Sequence, residues 1–136
     1  MIIYDKPHAS IDYNPDTKIG FVVWKSNCTM DQYRDVFENM LAYAKTHLMK
    51  YVLSDTTNQG VVSPENRKWF EKEMIPAAIE VGLEKVAIIT DANVFKRYYL
   101  NMLLSAVNKF GVPFKIFGNE GQAKAFLLEE ETLAAE

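Results

Sequence analysis

The feature that most constrains this chain is the segment from Lys50 to Pro76, where a short apolar run ends in Ser54-Asp55, a polar loop follows, and a helix start is written into Ser63-Pro64-Glu65. Tyr51-Val52-Leu53 is a compact apolar run with polar residues on both sides, the pattern of a strand buried on both faces of a sheet. The chain leaves it through Thr56-Thr57-Asn58-Gln59-Gly60. Ser63 offers an N-cap oxygen, Pro64 suits the first helical position, where no backbone N–H is needed, and Glu65 puts a negative charge in the first turn. A strand, a loop and a helix N-terminus in that order point at the C-terminal edge of an α/β sheet, where such folds place their sites.

The flanking sequence supplies the rest of that sheet. Ile2 to Tyr4 and Ala9 to Tyr13 are strand material, Asn14-Pro15-Asp16-Thr17 is a turn, and Ile19 to Trp24 is the returning strand of an antiparallel hairpin. Thr29 with Gln32 three residues on is a capping box. Behind it Tyr33, Val36, Phe37, Met40, Leu41, Ala44 and Leu48 form one apolar helical stripe, leaving Asp31, Arg34, Asp35, Glu38 and Lys45 in water. The helix from Pro64 towards Val81 contains Pro76, which predicts a kink or a break, and Gly82 is its C-terminal cap. Val86 to Ile89 is another buried strand. A long helix is expected from about Val94 to Lys109, capped by Asp91 or Asn93 and ended by Gly111. A strand at Val112 to Phe117 and a short helix at Gln122 to Leu128 complete the chain. The order β-β-α-β-α-β-α-β-α predicts an α/β fold: an opening antiparallel hairpin, then a mostly parallel sheet packed by helices.

Composition narrows the function classes. The 136 residues, 49% apolar and 24% charged, suit one globular domain over residues 1–128, with the acidic stretch 129–136 expected to fray. The net charge of −3 comes from that stretch. Removing Glu129, Glu130, Glu131 and Glu136 from the 18 acidic residues leaves 14 against 15 basic ones, no footprint for a nucleic-acid backbone. With Cys28 as the single cysteine there is no internal disulfide and no cysteine-based metal site. No signal peptide is visible and no run approaches the ~18 apolar residues of a membrane span, so a cytoplasmic protein without membrane insertion is expected. His8 and His47 have no carboxylate spacing that makes a metal site, and no nucleophile motif, phosphate loop or dinucleotide fingerprint occurs. A non-enzymatic protein without cofactor or metal is therefore expected.

The element order, with Asp55 at the end of a strand and Ser63 eight positions on before a helix, resembles the STAS (anti-sigma-factor antagonist, SpoIIAA-like) superfamily. The nearer likeness is to its branch similar in fold to CRAL-TRIO lipid-binding domains. That resemblance implies a regulatory, non-enzymatic binding module, with Ser63 the candidate phosphoacceptor by position. The chain departs from the partner-switching pattern at Val62-Ser63-Pro64-Glu65, where those members carry Asp and Ser followed by a small residue.

Two candidate surfaces follow. The first is a partner site on the loop and the helix start: Asp55, Thr57, Asn58, Ser63 and Glu65. Asp55 suits anchoring of the loop backbone, and a phosphate of about −1.5 to −2 charge on Ser63 would alter a docking surface at a helix N-terminus. The second is apolar: Trp69, Phe70 and Met74 on one helix, with Phe95, Tyr98, Tyr99 and Met102 on the next, more apolar surface than one core-facing stripe needs. It suits a protein partner or a homodimer, or alternatively a lipid or other apolar small molecule.

Overall fold

The structure is a computed structural model; it describes residues 1–60, 62–91, 98, 101, 102, 105 and 108–134, with side chains described as far as residue 129. One six-stranded sheet runs in sequence order: β1 (Ile2–Lys6), β2 (Ala9–Asn14), β3 (Ile19–Trp24), β4 (Tyr51–Asp55), β5 (Lys85–Ile89) and β6 (Phe114–Phe117). The first three strands are antiparallel and β3 to β6 are parallel. The expected hairpin is β2–β3. The stretch before it, taken as one strand from the sequence, is two, because Pro7-His8 turns the chain back and makes β1 an additional edge.

Helix α1 (Met30–Ala44) starts with the predicted capping box, Thr29 accepting from the Gln32 N–H and Gln32 accepting from Thr29. Tyr33, Val36, Phe37 and Met40 are its buried stripe. Leu48 is not part of it: the helix ends at Ala44, Leu48 stays 49% exposed, and Met49 enters the core instead. Arg34 and Asp35, expected to be solvated, are tied into neighbouring elements. Arg34 donates to Asn66 and lies over the Trp69 ring, and Asp35 accepts from Tyr4.

The Pro76 region resolves in a way the sequence leaves open. Helix α2 (Pro64–Trp69) and helix α3 (Ile75–Glu80) are joined without a gap by a π-helical segment, Phe70–Met74. The Ile75 N–H reaches back five residues to the Phe70 carbonyl. Widening the turn there relieves the crowding between a proline ring and the carbonyl four residues before it, so the chain stays helical through Pro76. Gly82, at φ 112°, closes α3 as expected, with the Leu83 N–H on the Ala78 carbonyl and the Gly82 N–H on that of Ile79. Of the helix expected over Val94 to Lys109, the described positions 98, 101, 102, 105 and 108 are helical. The last helix, α4 (Glu120–Ala134), is longer than the expected Gln122 to Leu128; the added residues are mostly glutamate, leucine and alanine, which favour helix.

Strand parity divides the core into two faces. Val22, Trp24, Val52, Val86, Ile88 and Phe114 point to one side and pack against α1, the π segment and α3. Ile19, Tyr51, Leu53, Ala87 and Ile89 point to the other, where Ala123 and Leu127 of α4 cover them. Crossovers of one hand between neighbouring parallel strands taken in order put α1 and the α2–α3 unit on the same side. Gly20 gives the buried Met49 side chain its room: a Cβ there would stand 2.5 Å from Met49 Sδ and 3.3 Å from its Cγ. Gly20→Ala should therefore destabilise the fold by about 1–3 kcal/mol in urea unfolding through overpacking.

Candidate functional site

The segment after β4 is an anchored loop at the C-terminal edge of the parallel strands. Asp55 Oδ1 accepts the Thr57 N–H at 3.0 Å, closing an Asx turn. Thr56, buried, donates both its N–H and its hydroxyl to the Ile89 carbonyl at 2.8 Å, which joins the loop to the end of β5. The Gln59 N–H returns to the Thr56 carbonyl at 3.0 Å. With the backbone held in this way, Thr57 and Asn58 remain exposed at the tip.

Ser63 caps α2: its side chain accepts the Asn66 N–H at 3.2 Å, with Pro64 at the start of the helix and Glu65 exposed in the first turn. Asn66 itself is buried and takes the Arg34 Nε–H on its Oδ1 at 3.1 Å, so the start of α2 is fastened to α1. Between them lies a surface cleft of about 170 Å³ lined by Cys28, Met30, Tyr33, Gln59, Gly60, Val62, Ser63 and Asn66. Asp55, Thr57, Asn58, Ser63 and Glu65 thus belong to one continuous loop and helix start. Gln59 and Gly60 belong to the loop read from the sequence, whereas nothing local in the sequence marks Cys28 and Asn66. At Gly60 an ideal Cβ would overlap the Asn27 side chain, so the loop before α1 and the loop after β4 meet closely at this point.

The predicted apolar set separates. Phe70 and Met74 line a partly open apolar cavity, whereas Trp69 lies against Tyr33 and Phe37 under the Arg34 guanidinium. Tyr98 and Met102, one helical turn apart, are 70% and 52% exposed. Phe95 and Tyr99 lie outside the described residues. The cavity has a volume of about 70 Å³ and sits between the sheet and α1, the π segment and α3. Tyr33 and Gln59 line both this cavity and the cleft beside Ser63.

A second polar cluster joins β1 to α1. The buried Tyr4 hydroxyl donates to Asp35 Oδ2 at 2.7 Å and lies 2.8 Å from His8 Nε2. Its one proton is given to Asp35, so His8 Nε2 must carry a hydrogen and donate in the other bond. Burial first, then the hydrogen bond to Asp35 and the charge of that carboxylate, push the Tyr4 phenol well above its ordinary value. Burial also pushes up the Cys28 thiol, which holds its reactive thiolate fraction low. Among the described residues no group of three His, Cys, Asp or Glu side chains could hold a metal ion, and no helix is long and apolar enough to cross a membrane.

A sequential β1-to-β6 sheet, antiparallel at its start and parallel thereafter, with α1 and the α2–α3 unit on one face, is a SpoIIAA-like fold. A solved structure supports that assignment: an uncharacterised protein of the DUF3478 family with a SpoIIAA-like fold, from Shewanella loihica PV-4, superposes with a TM-score of 0.61 over 91% of this chain and 97% of its own, at 16% sequence identity. At that identity the likeness is one of fold. No protein-family model and no curated protein matches the sequence.

Two outcomes follow from the electrostatics. An unfolded tyrosine releases its proton near pH 10 while folded Tyr4 retains it, so the stability Tyr4 contributes is complete below about pH 10 and declines as the pH rises further. Urea midpoints from pH 8 to 11 should fall more steeply for the native chain than for Tyr4→Phe. Ellman's reagent should modify Cys28 in the folded protein at least tenfold more slowly at pH 7.5 than in urea.

Proposed function

We propose that this chain is a non-enzymatic regulatory or interaction module that docks a protein partner on the loop from Asp55 to Ser63 and the start of α2. The observation that carries this reading is the loop's construction: its backbone is held by bonds to Asp55, Thr56 and Ile89, while Thr57 and Asn58 present their side chains to solvent. A loop already ordered spends little conformational entropy on docking, which favours recognition by a surface of this kind. The exposed pair Tyr98 and Met102 adds aromatic and thioether surface of the sort enriched at interfaces. A second copy of the chain is the alternative occupant.

Ser63 is the point at which such a module would be controlled. Its oxygen caps α2 and faces the cleft, so a phosphate there would exchange a neutral cap for about two negative charges next to Gln59 and Asn66. The resemblance to partner-switching members supports this position. The alternative reading, a lipid carrier, has less support: the cavity of about 70 Å³ is well below the ~300–1,000 Å³ of sites that enclose drug-sized ligands.

The test is recovery of partners from the source lysate by native chain, Ser63→Glu, Tyr98→Ala and a Thr57→Ala/Asn58→Ala double variant, beside sedimentation velocity of the chain alone. A partner recovered by the native chain and reduced at least fivefold by the loop variants, at unchanged thermal midpoint, supports the reading. Equal recovery by all variants removes the case for this surface. Ser63→Ala, which deletes only the cap, should cost about 1 kcal/mol of stability in urea unfolding.

A further inference from the structure

In the wall of the cleft beside Ser63, Asn66 is only 4% exposed, yet its side-chain amide is half used. Arg34 has donors and no acceptor, so the atom that takes its Nε–H at 3.1 Å is the Asn66 oxygen, and the nitrogen is fixed on the other side. Among the described residues no acceptor takes a hydrogen of that Nδ2, which opens onto the cleft. The guanidinium on the oxygen polarises the amide and makes its nitrogen a stronger donor. Two further groups converge there. Ser63 Oγ accepts the Asn66 backbone N–H and still has its own proton to give. The Gln59 side-chain amide, able to donate and to accept, has no hydrogen-bond partner among the described residues. Met30 and Val62 supply apolar wall, and none of the described lining residues is an Asp, Glu, Lys or Arg.

We infer that this cleft is the pocket in which a docked protein partner seats one carboxamide side chain, an asparagine or a glutamine, a role that rests on the docking reading of the loop from Asp55 to Ser63. Size sets the first condition. At about 170 Å³ the cleft matches the ~150 Å³ cavity that holds one benzene ring and falls short of the ~300 Å³ at which free ligands are enclosed, so it admits a single side chain. Charge sets the second: a carboxylate or an ammonium would give up its hydration with no counter-charge in the wall. Hydrogen bonding sets the third. An apolar side chain would bury the Asn66 Nδ2 without a partner, whereas a carbonyl oxygen has two lone pairs, one for Asn66 and one for the Ser63 hydroxyl. The nitrogen of the same carboxamide donates to the Gln59 oxygen. A hydroxyl would have to meet both walls from one atom; a carboxamide meets them from two.

Selection of a random displayed-peptide library on the whole folded chain, followed by titration of the enriched peptides, tests this. The enriched peptides should share an asparagine or glutamine at one position, and replacing it by alanine, glutamate or lysine should weaken binding about tenfold or more. Asn66→Asp keeps the size of the side chain and an acceptor for Arg34 but removes the Nδ2 donor. It should cost the same peptides about tenfold in affinity at unchanged thermal midpoint. Gln59→Ala should weaken them about threefold or more and carries the comparison if Asn66→Asp does not fold. In the nitrogen-15 spectrum the Asn66 side-chain amide pair, assigned by its loss in Asn66→Asp, should move when the peptide is added. Peptides that need Thr57 and Asn58 but share no carboxamide, share an acidic residue instead, or bind Asn66→Asp and Gln59→Ala at full affinity overturn the inference and leave the docking loop standing. An absence of enriched peptides, or peptides indifferent to the loop and cleft variants alike, overturns both.

Discussion

The hydrogen bond from the Trp24 indole to Ser54 is the contact on which the rest of the arrangement depends. A buried indole N–H must find an acceptor, and parity of β4 turns Ser54 toward the helices while Asp55, the next residue, faces the opposite way. The bond joins the carboxyl ends of two neighbouring parallel strands at the edge where the loop departs. The Trp24 ring then carries the packing outward, stacked on Tyr33 at 5.5 Å and tilted on Phe37 at 5.4 Å. Phe37 in turn meets Phe70 at 4.9 Å, which brings the π segment into the same cluster. One serine and four aromatic side chains thus set where α1 and the α2–α3 unit sit over the sheet, and so the shape of both the cavity and the cleft.

Three buried or half-buried polar side chains stand where elements must be held in register. Asn66 links α1 to α2 through Arg34, and Tyr4 links β1 to α1 through Asp35. On the reverse face the buried Lys85 donates to the Phe126 carbonyl at 2.9 Å and lies over the Phe126 ring, so its ammonium keeps polar company beneath α4. Each is a costly group to bury and each has a partner, which makes slippage between elements unfavourable.

Local chemistry made much of the fold legible before any coordinates. The capping box at Thr29, the Ser63-Pro64 helix start, the Gly82 cap and the β4 strand are decided by neighbours within a few residues, and the structure has all four. The extra turn at Pro7-His8 was missed because each short apolar run reads equally well as part of one strand. Leu48 was misplaced because helical spacing continues past Ala44 although the helix does not. The π segment answers a clash that sequence can flag but not resolve. The loop residues Asp55 to Ser63 are visible as a unit, whereas Cys28 and Asn66 join them only through tertiary packing, as do the walls of the cavity.

The division of labour between the two faces of the sheet bears on synthesis. One face is covered by helices interleaved with the strands, but Ile19, Tyr51, Leu53, Ala87 and Ile89 rely on α4, which follows every strand in the chain. During translation the growing sheet can close its first face as each crossover emerges, yet it must hold an apolar second face open until α4 has left the ribosome. Nascent chains stalled before Gln122 would expose that surface, and such intermediates are the ones that chaperones capture and that aggregate when they escape.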